Sequence, residues 1–275
     1  MSSAAAAPGV AVPVKARSRA LWRQVAVPSE HGGWSLTAEP VVLGLVVAWS
    51  WPGLAIGVAA MLAFVARTPV KIVLVDRWRH RWLDRSRLAA RIAAVELVMI
   101  GLLAALAATG AVDARFWVPL AVAAPFIGME LWFDMRSRSR RLVPELAGTF
   151  GIGSVVAAIV LTDGGSGLLA IGLWVVVSAR AAAAIPYART QVFRAHGRPV
   201  TRWHSDVAQA AAVAAVGLAW GLDAIPLAPV VAVAAIAAFN VVAVRGSVKP
   251  AMVIGLQQMA FGIGVVVVTA VAVLA

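Results

Sequence analysis

Long apolar runs alternate with short charged interruptions along the chain. Segments near 33–51, 53–75, 88–110, 115–134, 143–162, 167–187, 205–222, 225–244 and 250–274 each hold roughly 17 to 25 mostly apolar residues, the length an α-helix needs to cross a hydrocarbon core. The pattern predicts an all-α, polytopic transmembrane bundle of about nine spans. Only Ser50, Trp51, Pro52 and Gly53 part the first two runs, so that boundary is the least marked. Residues 1–16 are rich in Ala, Pro and Val, and Lys15, Arg17, Arg19 and Arg23 follow. A cleavable signal would carry its positive charge before the apolar run. Residues 1–28 are therefore expected to form a disordered cytoplasmic tail with an amphipathic stretch near 19–27, and 29–275 the membrane domain.

Charge placement tests that arrangement. With nine spans, 23 of the 24 Lys and Arg residues fall on one side, and Arg115 alone lies on the other. By the positive-inside rule the N-terminus and the basic loops are cytoplasmic and the C-terminus is outside. Composition agrees: 62% of residues are hydrophobic, 13% are charged and mean hydropathy is +0.90. The net charge of +12 then points to an anionic lipid leaflet or an anionic substrate rather than nucleic acid. The absence of cysteine excludes disulfides and thiolate chemistry.

Polar groups inside the spans cluster toward the cytoplasmic halves. Glu39, Arg67, Lys71, Glu96, Glu130, Asp134, Glu145, Arg180 and Tyr187 all fall there, whereas the outer halves are almost purely Ala, Val, Leu, Ile and Gly. Ionisable groups in lipid cost several kcal/mol unless they face a partner, a bundle interior or water. The one-sided distribution predicts a polar cavity facing the cytoplasm, with Glu39 and Glu96 as candidate catalytic or acceptor-orienting carboxylates. The longest charged break, Arg67 to Arg91, carries Asp76, His80 and Asp84 at steps of four, which on one helix would share a face. They form a candidate metal set, with Asp76 and Asp84 also candidate catalytic groups; pairing with the surrounding arginines is the structural alternative. His31 in Glu30-His31-Gly32-Gly33 is a candidate proton carrier or ligand at the cavity mouth, or simply part of a helix start. The pairs Gly53/Gly57 and Gly217/Gly221 are spaced for close helix packing. No nucleotide-binding loop, zinc-protease helix or nucleophile elbow occurs in a credible context.

The segments EHGGWSLTAEPVVLG (Glu30–Gly44), RTPVKIVLVDR, RRLVPELAG (Arg140–Gly148) and SARAAAAIPYART resemble the YwiC-like family of bacterial membrane proteins. The long polar loops after spans two and six also resemble, by topology, the UbiA superfamily of intramembrane prenyltransferases, which have nine helices and a cytoplasmic N-terminus. That resemblance implies a UbiA-like arrangement, an isoprenoid or lipid-like substrate and Mg2+ as cofactor. The Asp-rich motifs depart from it. Asp76 stands alone in Val75-Asp76-Arg77-Trp78-Arg79, and the loop after span six has no aspartate before Asp206. Arginines dominate both loops and can bind phosphate bidentately without a metal.

The expected substrate-binding residues are His31, Arg67, Lys71, Arg140, Arg141, Glu145, Arg180, Tyr187 and Arg189. The expectation is a UbiA-like prenyl or lipid-phosphate transferase. A small-anion or lipid transporter and a non-catalytic membrane assembly partner are the alternatives.

Overall fold

The computed structural model describes residues 22, 24–28, 31–138 and 141–275, with His31 and Gly32 as helical backbone only. The proposed tail up to residue 21, and Arg140, lie outside the described residues. Within them the chain folds into nine helices of 17 residues or more, and no strand is present. These are α1 (His31–Val47), α2 (Trp51–Trp78), α3 (Asp84–Gly110), α4 (Trp117–Met135, preceded by a 3-10 turn at Ala114–Phe116), α5 (Leu142–Thr162), α6 (Gly167–Ala195), α7 (Trp203–Gly221), α8 (Leu227–Ala243) and α9 (Ala251–Leu274). Among the described residues, α2, α3, α4 with its leading turn, α5, α6 and α9 are long and apolar enough to cross a membrane. Helices α1 and α8, at 17 residues, sit at the lower limit of that length.

Local chemistry sets the boundaries. Ser50 caps α2, its Oγ accepting from the Gly53 backbone N–H at 3.0 Å, and Pro52 occupies the first turn where its missing N–H costs nothing. This places the α1–α2 break at residues 48–50. Helix α3 opens at Asp84, and Ser86 Oγ accepts from the Leu83 backbone N–H at 3.1 Å.

Two ends of the bundle follow from the contacts. At one end Ser50 and Thr162 share a hydroxyl hydrogen bond of 3.2 Å, and Val112 N donates to Thr162 O at 2.9 Å. At the other, Arg79 reaches Ser137, and Arg194 donates to the carbonyls of Val244 and Gly246 beyond α8. The second end holds most of the arginines and is called the basic end.

Helices α5 and α6 occupy the centre. Helix α5 packs against α1, α2, α4 and α6, while α6 also meets α7, α8 and α9; α3 packs chiefly on α2. The fully buried Val156, Ala158, Ile159 and Val160 of α5 and Leu173 and Val176 of α6 form the apolar core. A Cβ at Gly57 would meet the Val41 side chain, consistent with close α1–α2 packing, whereas Gly217 and Gly221 have nothing within 4 Å and serve no such contact.

Candidate functional site

Steps of four on two helices build the main cluster at the basic end. Arg67 and Lys71 lie one turn apart on α2, and Glu130 and Asp134 one turn apart on α4, so each pair shares a helix face. The two faces meet: Arg67 Nη2 lies 2.9 Å from Glu130 Oε1, Arg67 Nε 3.0 Å from Asp134 Oδ2, and Lys71 Nζ 3.1 Å from Asp134 Oδ1. Asp134 is fully buried while Arg67 and Lys71 stay 26% and 31% exposed, so the rim of the cluster presents cationic side chains. Gly148 of α5 faces Glu130, and a Cβ there would come 2.7 Å from the carboxylate.

A second polar group lies inside the bundle. Arg180 Nη1 of α6 donates to both oxygens of Glu39 on α1, at 3.2 and 3.0 Å, and both side chains are buried. Ser35, one turn before, donates to Glu39 Oε1 at 2.7 Å. Arg180 Nη2 donates to the Gln258 carbonyl. From there Gln258 Nε2 donates to Asn240 Oδ1 at 3.1 Å, Asn240 Nδ2 to Gln209 Oε1 at 3.4 Å, and Gln209 Nε2 to Ala183 O at 2.8 Å. This chain ties α1, α6, α9, α8 and α7 together in one polar layer. The void beside Glu39, lined in part by Leu36, Thr149, Gly153 and Val177, is about 10 Å³, room for one water at most.

The remaining expected site residues fall at separate places. Glu145 of α5 pairs with Arg189 of α6 at 3.1 Å, both about a third exposed. Tyr187 is fully buried; Gln191 and Gln257 donate toward its hydroxyl at 3.4 and 3.5 Å. Arg141 is the exposed residue before α5. Glu96 sits on α3, with its Oε2 buried and making no hydrogen bond, and α3 packs chiefly on α2. Glu39 and Glu96 therefore do not share one site. His31 begins α1.

The expected shared face of Asp76, His80 and Asp84 is not formed. Helix α2 ends at Trp78, His80 takes a left-handed φ of 51° in the turn, and Asp84 starts a new helix. Asp76 is buried and saturated: Arg81 Nε donates at 2.8 Å, Arg85 Nη2 at 3.2 Å and Ser86 Oγ at 2.7 Å. Asp84 is 95% exposed, with Arg87 at 3.6 Å. Four hydrogen bonds from three residues already claim the Asp76 oxygens, His80 lies in the turn and Asp84 is solvent-exposed on the next helix, so as arranged this set does not fit a divalent metal. No group of three or more His, Asp or Glu residues placed to hold a metal occurs among the described residues.

The sequence marks Arg67 and Lys71 as binding residues and Glu130 and Asp134 only as polar groups of the same half. The signal was present as two four-residue steps of opposite charge. What was missing was that α4 packs on α2.

Apolar helices of membrane-crossing length, with charged groups internally paired and gathered at one end, define an integral membrane protein of the helical-bundle class. Residues 27–160, from just before α1 almost to the end of α5, match the family model described as YwiC-like protein, and over that segment the chain carries the YwiC-like pattern. No curated protein and no solved structure matches the chain.

Proposed function

We propose that the protein crosses the bacterial inner membrane nine times, with its N-terminus and basic end cytoplasmic, and binds the anionic head of an isoprenoid or other lipid phosphate at that end. The observation that carries this reading is the asymmetry of the α2/α4 cluster. Asp134 is buried beneath Arg67 and Lys71 and Glu130 is 18% exposed, less than either cation, so the surface offered to a ligand is mainly positive and sits where an amphiphile's head would lie. The exposed Arg141, before α5, adds positive charge to the basic end.

A UbiA-like arrangement, with prenyl or lipid-phosphate transfer, is the finer form of this reading. Transfer involving Glu39 requires that Arg180 release it and that α1 move from α6, because the space beside it is too small for a substrate. Asp76, His80 and Asp84 do not form a ligand set, so binding at this end rests on the arginine and lysine side chains. A non-catalytic membrane assembly partner is the second reading. It is favoured by the internal pairing of Glu39, Asp76, Asp134 and Asp206.

The test is native mass spectrometry with lipid analysis on gently purified protein, with and without Mg2+, for wild type and for Arg67→Ala combined with Lys71→Ala. A polyprenyl or lipid phosphate retained by the wild type and lost in the variant supports the proposal. Only bulk phospholipid, insensitive to the substitutions, favours the assembly reading.

A further inference from the structure

A separate cationic feature lies on the outside of the same end. Trp78 closes α2 and Trp132 lies in the last turn of α4, with ring centroids 6.4 Å apart and both rings about half exposed. The Arg136 guanidinium carbon lies over both, 4.1 Å from the Trp132 ring centroid and 5.3 Å from that of Trp78. Arg79, just past α2, donates from Nη2 to Ser137 Oγ at 3.0 Å, tying the two turns together. Among the described residues neither Arg79 nor Arg136 makes an ion pair. The nearby acids are committed elsewhere: Asp76 to Arg81 and Arg85, Asp134 to Arg67 and Lys71, and Asp84 to Arg87.

One face of α4 leads straight to this pair. Val118, Val122, Met129, Trp132 and Arg136 follow one another at helical spacing through Pro125, and all are exposed. The half of this apolar stripe next to Trp132, ending in that tryptophan and then in an arginine without an acid, matches the lipid of one leaflet read from tail to head, since acyl chains reach about 15 Å to the bilayer midplane. Tryptophan favours the head-group level, and the cation–π contacts with two indoles restrict the Arg136 side chain, so that less side-chain entropy is left to lose on binding phosphate. A free phosphate ion would use only the arginines and leave the stripe without a role.

We infer that Trp78, Trp132, Arg136, Arg79 and Ser137 form a binding site for the phosphate head of one anionic phospholipid whose acyl chains lie along the exposed face of α4. This site is distinct from the Arg67/Lys71 cluster and does not depend on what binds there.

The experiment reconstitutes the full chain in nanodiscs of phosphatidylglycerol or phosphatidylcholine, then counts lipids retained on transfer to native mass spectrometry. The wild type is expected to keep one phosphatidylglycerol, with retention falling about fivefold for each of Arg79→Gln and Arg136→Gln. Arg198→Gln, which removes an arginine stacked on Phe193 at the other side of the basic end, is expected to change nothing. Arg136→Lys keeps the charge but loses the forked guanidinium donors; an intermediate loss is expected. Equal retention of phosphatidylcholine, unchanged retention in the Arg79→Gln/Arg136→Gln protein, or complete displacement by millimolar inorganic phosphate would each overturn the inference.

Discussion

Glu39 and Arg180 are 141 positions apart in sequence, yet Arg180 Nη1 meets both Glu39 oxygens in a bifurcated contact of 3.0 and 3.2 Å with almost no exposure to solvent. The pair joins α1 to α6, the one helix that every other member of the polar layer reaches. Taking two charges out of water is expensive, so such a pair adds little net stability but is costly to break by half.

Glu39→Gln is accordingly expected to leave Arg180 as an uncompensated buried cation and to lower stability by about 3 to 5 kcal/mol. Glu39→Gln combined with Arg180→Met is expected to recover most of that loss. Thermal unfolding in detergent for the three proteins checks this; a single variant as stable as wild type would show that the pair is already broken in solution.

Gly262 of α9 faces the same carboxylate. A Cβ built there would overlap Glu39, whereas one at the exposed Gly264 meets nothing within 4 Å. Gly262→Ala is expected to destabilise by about 1 to 3 kcal/mol through overpacking against the ion pair. Gly264→Ala, two residues away, should be neutral or stabilising by up to about 1 kcal/mol, because alanine favours the helix. Comparison of the two unfolding midpoints separates site strain from propensity.

In the α2/α4 cluster, Asp134→Asn removes the buried charge that faces both Arg67 and Lys71. If the cluster binds an anionic amphiphile, the variant is expected to retain more of it than wild type, opposite in sign to Arg67→Ala/Lys71→Ala. Lipid retained per protein is the measurement, and a fall in the Asp134→Asn protein would contradict an anion-binding role.

At the opposite end, Asp113 accepts from the Arg115 backbone N–H at 2.8 Å and pairs with the Arg115 side chain at 2.6 Å. The backbone N–H and then the guanidinium hold its carboxyl below the ordinary aspartate value of 3.8. With the folded value depressed, the cap is fully present above that ordinary value and is lost as pH falls through the lower one. Protection of the Arg115 amide, taken relative to its intrinsic exchange rate at each pH, is therefore expected to hold down to about pH 4 and to fall below it. In Asp113→Ala it should be low throughout.

Much of the fold was legible because a membrane helix must satisfy its backbone internally and match the hydrocarbon thickness, so apolar runs translate directly into helices. Each of the nine runs coincides with a helix, and the Ser50-Trp51-Pro52-Gly53 break carries its own cap chemistry. The one-sided placement of polar residues was legible for the same reason. The Asp76/His80/Asp84 pattern misled because a spacing of four implies a common face only if one helix runs through all three, and the chain turns at Arg79.

By itself, then, the sequence determined that this is a helical membrane protein and which end of its bundle is charged, since hydropathy and charge act locally along the chain. Tertiary structure decided which charges meet: that Arg67 and Lys71 are answered by Glu130 and Asp134, that Arg180 holds Glu39, and that Glu96 stands apart on α3. Ion pairing depends on which helix faces pack together, and α5 and α6 take the centre through small-residue and β-branched packing spread over many positions, none of which announces its partner in one dimension.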